Sequence, residues 1–169
     1  MSLAIRKLTS DDCETIAEAF RQQGWNKPVD QYERYLAEAS EGLREVLVAE
    51  YDGVFAGYVS VVWSSHRQPF RCRSIPEIVD LNVLKKYQNR GIASELLSYA
   101  ESLVCERNNA AAVRVGMDVD YGAAQRLYAK RGYVPDGQGI FYNDKQLRYG
   151  DTTTVDDDLT LGLIKTLKT

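Results

Sequence analysis

Asp80-Leu81-Asn82-Val83-Leu84, followed closely by Gln88-Asn89-Arg90-Gly91-Ile92-Ala93, is the passage whose reading decides the fold. Ile75–Leu84 reads as an apolar strand carrying two carboxylates, Glu77 and Asp80. Gly91–Arg107 reads as a long amphipathic helix, with Ile92, Leu96, Leu97, Ala100, Leu103 and Val104 on one face and Asn108-Asn109 at its end. A strand therefore runs through a short polar loop straight into a helix start. The first N–H groups of a helix have no intrahelical acceptor, and the aligned peptide dipoles add partial positive charge there. A phosphate or pyrophosphate satisfies both. Gly91 and the small Ala93 leave room for such an approach, and Lys85, Lys86 and Arg90 supply positive charge around it. The alternative reading is a plain βα turn in which Gly91 serves geometry alone. Neither a Walker loop nor a G-x-G-x-x-G fingerprint is present.

Outward from this passage, strands and helices alternate. Leu3–Leu8 reads as a first strand, and Ser10-Asp11-Asp12 as the N-cap and acidic first turn of a helix ending near Gly24. Pro28 opens a second helix bearing Tyr32, Tyr35, Leu36 and Ala39 at helical spacing. Arg44–Tyr51 and Val54–Ser64 are strands joined by Asp52-Gly53, a hairpin signal. A polar loop spans Ser65–Ser74. After the long helix come a strand Ala110–Met117, a helix Gly122–Lys130, and strands Tyr133–Tyr142 and Leu159–Leu167. No repeat or linker interrupts the order. One domain, residues 1–169, with a mixed sheet is expected.

Composition narrows the function classes. The 169 residues are 44% hydrophobic and 27% charged, ordinary for a globular domain and too apolar for disorder. The net charge of −3 argues against a nucleic-acid partner, whose phosphates call for a basic face. The cationic run His66, Arg67, Arg71, Arg73 reads as a solvated loop. Three cysteines, Cys13, Cys72 and Cys105, have no metal-site spacing and no even pairing, and a single histidine leaves no multi-histidine centre, so no metal is expected. Free thiols and the lack of a signal-peptide pattern point to the cytoplasm. The longest apolar stretch, Val54–Trp63, is far below the roughly 20 residues that span a bilayer, so no membrane partner is expected.

Gln88-Asn89-Arg90-Gly91-Ile92-Ala93 resembles the Q/R-x-x-G-x-G/A signature of the GNAT superfamily of N-acetyltransferases. Ala124-Gln125-Arg126-Leu127-Tyr128-Ala129-Lys130-Arg131-Gly132-Tyr133 is similar to that family's second motif, A-x-x-L-Y-x-x-x-G-F/Y, in the right order and spacing. The element order extends the resemblance over nearly the whole chain. It implies a single-domain α/β GNAT-like fold: a central mixed, mostly antiparallel twisted sheet of about seven strands, flanked by about four helices and splayed at the cofactor site. It implies transfer of an acetyl group from acetyl-CoA, the cosubstrate, to a primary amine of a small molecule or peptide, by direct attack in a ternary complex. The competing expectation is a non-catalytic module that binds CoA thioesters for sensing or assembly. A homodimer is also among the family's implications, and the apolar C-terminal strand could serve as its interface.

The resemblance further implies that main-chain groups of Leu81, Asn82 and Val83 hold the pantetheine arm and polarise the thioester. Gln88, Asn89, Arg90, Gly91, Ile92, Ala93 and Ser94 would hold the pyrophosphate. Tyr128 would give a proton to the departing thiolate; a core tyrosine is the other reading. Glu77 matches the position of the base in the histone-acetylating branch and is the favoured base, and Asp80 is the second carboxylate. Strand alternation points the two to opposite faces unless a bulge intervenes, and either could instead cap a strand end or pair with Arg71 or Arg73. Tyr121 stands where the family often has an asparagine that contacts the cofactor. His66 could serve as a base or be solvent-exposed. Asp156-Asp157-Asp158 could attract a cationic amine or form a solvated turn. The acceptor is expected among Ala19–Pro28, Ser65–Ser74 and the C-terminal strands, and Trp25, Trp63, Tyr32 and Tyr142 line an aromatic pocket or pack in the core.

Overall fold

In the computed structural model, residues 1–168 are described; Thr169, the last residue of the expected domain, lies outside them. Eight strands and four α-helices alternate along these residues, which gives the expected α/β class. The backbone divides into two compact units, Met1–Trp63 with Ile78–Leu103, and Ser64–Glu77 with the chain from Val104 onward.

In the first unit, β1 (Leu3–Lys7), β2 (Arg44–Tyr51) and β3 (Val54–Val62) pair antiparallel, with β4 (Glu77–Val83) next to β3. The β2–β3 hairpin turns on Asp52 and Gly53, both at positive φ (50° and 78°). Two such residues form the turn whose twist matches that of the flanking strands. Helices α1 (Asp12–Gln22) and α2 (Val29–Ser40) bury Ile16, Phe20, Tyr32 and Tyr35 in one cluster with Val46, Val48 and Tyr58 of β2 and β3. Aromatic rings dominate it: Phe20 and Tyr58 meet edge-on at 5.9 Å, and Tyr32 and Tyr58 at 5.5 Å.

Helix α1 starts within Ser10-Asp11-Asp12, with Asp11 at the N-cap and Asp12 and Glu14 in the first turn, and no side chain caps forward. Instead Asp12 reaches back, accepting the Thr9 amide at 2.8 Å and the Thr9 hydroxyl at 3.0 Å. Arg6 then grips both Asp12 oxygens at 2.7 Å. The carboxylate nearest a cation and an unpaired amide wins over the hydroxyl.

Helix α3 (Ile92–Cys105) buries Ile92, Leu96, Leu97, Ala100 and Val104, the spacing read from its sequence. In the second unit, β5 (Ala110–Gly116), β8 (Leu159–Thr166), β6 (Val134–Tyr142) and β7 (Lys145–Gln146) lie in that spatial order, and each neighbouring pair is antiparallel. Helix α4 occupies Gly122–Lys130, as expected. Strand β7 is an addition to the expected seven, because two residues carry no readable period. Strand β6 breaks register with β8 between Pro135 and Ile140, where Gly137 and Gly139 take φ of 79° and 72°.

Gly57 of β3 has structural work to do. A Cβ there would lie 2.5 Å from the Asn82 carbonyl oxygen and 3.0 Å from Val83 Cα, both main-chain atoms that cannot swing aside. Gly57→Ala is expected to destabilise the protein by about 1–3 kcal/mol, read as a lower urea midpoint with an unchanged slope.

Candidate functional site

From the end of β4 the chain makes a 3-10 turn at Lys85–Tyr87 and enters α3 through Gln88–Gly91. Leu84 still pairs with β3, its amide donating to the Ala56 carbonyl at 2.8 Å. Beyond it the ladder stops. Asn89 and Gly91 both adopt left-handed backbone, φ 60° and 79°; asparagine and glycine tolerate this best. A Cβ on Gly91 would meet nothing within 4 Å, so backbone conformation, not crowding, calls for glycine. The Gln88 side chain donates to the Val83 carbonyl at 3.3 Å and ties the loop to the strand. Glu95 donates to the Gly91 carbonyl at 3.1 Å, closing the first full turn of α3, so the amides before it are those a helix start leaves without intrahelical partners. Arg90 lies 5.1 Å from the Tyr51 ring and 5.7 Å from that of Tyr87, which holds a cation beside the loop.

The two β4 carboxylates have different surroundings. Glu77 is 4% exposed, and its Oε2 accepts the Ser65 hydroxyl at 2.5 Å. Asp80 sits at φ 54°, a left-handed residue inside a strand, so simple alternation no longer fixes which face it takes. Its Oδ2 accepts the Tyr35 hydroxyl at 2.5 Å, and Arg44 Nη1 stands 3.9 Å away. Arg44 is itself held by Glu38 at 2.6 Å and lies 4.0 Å above the Tyr35 ring. Burial, followed by the charge of Asp80, pushes the Tyr35 phenol well above its ordinary range. Ser65 is thus one partner of Glu77, and Tyr35 and Arg44 stand at Asp80. Leu81, Asn82 and Val83 are half-buried, and the Asn82 amide donates back to the Asp80 carbonyl at 3.2 Å.

Two surface cavities open in the same unit. One of about 400 Å³ is lined by Arg21, Gly24, Trp25, Lys27 and Pro28, within the stretch expected to meet the acceptor. Another of about 270 Å³ is lined by Gln22, Gln23, Lys85 and Lys86. Tyr32 is fully buried and belongs to the core, whereas Trp25 stacks on Phe20 at 5.8 Å at the rim.

In the second unit Tyr128 lies on α4, 6% exposed, with its ring 5.6 Å from that of Tyr133. Burial alone raises its phenol to about 12, so it stays protonated at neutral pH. Tyr121 ends a 3-10 turn, Val119–Tyr121, and its hydroxyl donates to Asp157 at 2.8 Å. Tyr142 donates to Asp156 at 2.8 Å. Two members of the acidic triplet therefore hold tyrosines, which favours the structural reading of that run. His66 is exposed.

Arg114 escaped the sequence reading. Its guanidinium lies 5.2 Å from the Phe70 ring and 5.0 Å from that of Phe141, and donates to the Gln68 carbonyl and to Thr160. An arginine inside the apolar strand Ala110–Met117 was the available signal. No cluster of three or more His, Cys, Asp or Glu side chains able to hold a metal occurs among the described residues, and no helix there is long and apolar enough to cross a membrane.

The sequence pattern of the acetyltransferase (GNAT) family matches residues 7–133, three quarters of the chain and both motifs. The chain belongs to the GNAT acetyltransferase family. It is accordingly an acyltransferase. Solved structures agree on the fold. A putative acetyltransferase, yncA, from Salmonella typhimurium, with acetyl-CoA, is 21% identical with a TM-score of 0.70, over 99% of this chain and 95% of that one. The paia N-acetyltransferase of Thermoplasma acidophilum, in complex with coenzyme A, is 17% identical with a TM-score of 0.69, over 98% and 99%. Ribosomal-protein-alanine N-acetyltransferase of Brucella melitensis is 19% identical with a TM-score of 0.71, over 97% and 99%. No curated protein matches the chain in sequence.

In this GNAT enzyme the Tyr121 ring takes the space above Gly116, where a Cβ would lie 2.3 Å from Tyr121 Cδ2. Gly116→Ala must displace the ring and its bond to Asp157. The expected result is a loss of about 1–3 kcal/mol, measured by urea denaturation, most of which disappears when Gly116→Ala is combined with Tyr121→Ala.

Proposed function

We propose that the enzyme moves an acetyl group from acetyl-CoA to a primary amine of a small molecule or peptide, by direct attack within a ternary complex. The observation that carries this reading is the loop Gln88–Gly91, with its two left-handed residues, opening onto the start of α3. Amides of Gln88, Asn89, Arg90, Gly91, Ile92, Ala93 and Ser94 would bind the pyrophosphate, with the helix dipole in support. Main-chain groups of Leu81, Asn82 and Val83 would hold the pantetheine arm and polarise the thioester carbonyl. Acetyl-CoA and coenzyme A in the Salmonella and Thermoplasma relatives support the choice of cosubstrate. Names such as ribosomal-protein-alanine N-acetyltransferase, and a spermidine N-acetyltransferase chimera of similar fold, support an amine acceptor of either kind. We read residues 1–169 as one transferase domain, working in the cytoplasm, where an exposed thiol such as Cys72 stays reduced.

The chemistry needs a base, an oxyanion site and an acid. An ammonium and acetyl-CoA give an amide, the CoA thiol and one proton. Glu77 and Asp80 are the candidate bases. Tyr128 is the acid: raised to about 12, its phenol is fully protonated at neutral pH and can pass a proton to the thiolate as the C–S bond breaks.

Acetyl-CoA titration by calorimetry and thiol release with a panel of primary amines test this reading. Tyr128→Phe is expected to lower turnover about 100-fold while the acetyl-CoA dissociation constant changes by less than about threefold, roughly 0.6 kcal/mol. Unchanged turnover in that variant would remove the acid role. A wild-type protein that binds no acetyl-CoA at millimolar ligand would remove the whole reading.

A further inference from the structure

The arrangement around Asp80 is lopsided. Both contacts to its carboxylate, the Tyr35 hydroxyl at 2.5 Å and Arg44 Nη1 at 3.9 Å, fall on Oδ2. Oδ1 has no hydrogen-bond partner among the described residues, and the side chain is 35% exposed. Glu77 is the contrasting case, 4% exposed with the Ser65 hydroxyl on its Oε2. The groups that hold Asp80 are themselves held. Arg44 is 12% exposed, fixed through Nε by Glu38 and stacked on Tyr35, while Gln31 donates to the Tyr35 hydroxyl at 3.2 Å. Arg44 Nη1 is buried without a hydrogen bond of its own, a donor aimed at the carboxylate from just beyond bonding range. The left-handed backbone at Asp80 adds a further constraint, of the kind that surrounding structure must hold in place.

We propose that Asp80 is the carboxylate that receives the acceptor amine on Oδ1, and that Tyr35 and Arg44 are positioning residues that fix it through Oδ2. This rests on the acetyltransferase reading and names the base within it. The ammonium N–H bonds to Oδ1 and gives its proton to the carboxylate. The freed nitrogen lone pair attacks the acetyl carbonyl carbon, and the C–S bond breaks on collapse of the tetrahedral intermediate. The thiolate takes one proton from Tyr128, which recovers it from the nitrogen through solvent, and Asp80 releases the other to water. Two protons leave the nitrogen, one ends on sulfur and one in solution.

The titratable groups facing Asp80 are Tyr32, Tyr35 and Glu38 of α2, Arg44 of β2 and Tyr58 of β3. Burial pushes the phenols of Tyr32, Tyr35 and Tyr58 upward, so all three remain neutral through the working pH range.

The test compares wild type, Tyr35→Phe, Asp80→Asn and the double variant. Tyr35→Phe keeps the ring under Arg44 and removes only the donor. Tyr35→Phe should lower kcat/KM about tenfold with acetyl-CoA binding unchanged, and carboxyl-carbon NMR should show the Asp80 resonance displaced from its wild-type position. Asp80→Asn should cut turnover at least about 100-fold, and adding Tyr35→Phe to it should cost nothing further. Butylammonium, the probe amine, should shift the wild-type Asp80 carboxyl resonance whether or not it is turned over. A merely structural Tyr35 would lower the melting temperature and leave both kcat/KM and the Asp80 carboxyl resonance in place, and that result overturns the proposal. Wild-type turnover in Asp80→Asn, or no effect of butylammonium on the resonance, overturns it equally. In either case acetyl-CoA binding by the wild type shows whether the acetyltransferase reading itself still stands.

Discussion

Main-chain amides at the start of α3 lack partners within the helix, and this deficit organises the rest of the first unit. Strand β4 delivers the chain to that point, and Leu84 makes the last bond to β3 before the 3-10 turn. Asn89 and Gly91 supply the left-handed turns that open the loop. Arg90, packed against Tyr51 and Tyr87, places a cation on its flank. Each feature is a local answer to one electrostatic condition, a positive helix end that an anion can complete. The same segment is one of the two motifs by which the chain is recognised as a GNAT acetyltransferase.

In the same unit an aromatic side chain holds Asp80 and Arg44. Tyr35 carries Arg44 on its ring and Asp80 on its hydroxyl, so one side chain orients a cation and an anion together. The second unit uses the same device. Tyr121 and Tyr142 are bound by Asp157 and Asp156, and Arg114 lies against Phe70 and Phe141. An aromatic ring can bury its body while its hydroxyl, or a stacked guanidinium, satisfies a charge. Tyr35, Tyr121 and Tyr142 find a physical reason there.

Much of the fold was legible because periodicity survives in the sequence. The buried positions of α3 recur at helical spacing, the Asp52-Gly53 turn marks its hairpin, and α4 begins and ends where Gly122 and Lys130 were read. Side-chain contacts were less legible: Asp12 at the start of α1 turns back to Thr9 and Arg6 instead of capping forward. Strand β7 is too short to show alternation. The loop before α3 was legible because its left-handed turns call for residues such as Asn89 and Gly91.

The sequence by itself determined the element order and the family, since these depend on spacing along the chain. Tertiary structure alone decided which partners the carboxylates take. Tyr35 is 45 residues from Asp80, and no local pattern encodes a contact at that separation. The positive φ of Asp80 also lies outside what alternation predicts. That one backbone angle removes the period-two rule by which a strand sequence assigns faces, leaving packing of α2 and β2 to aim the side chain.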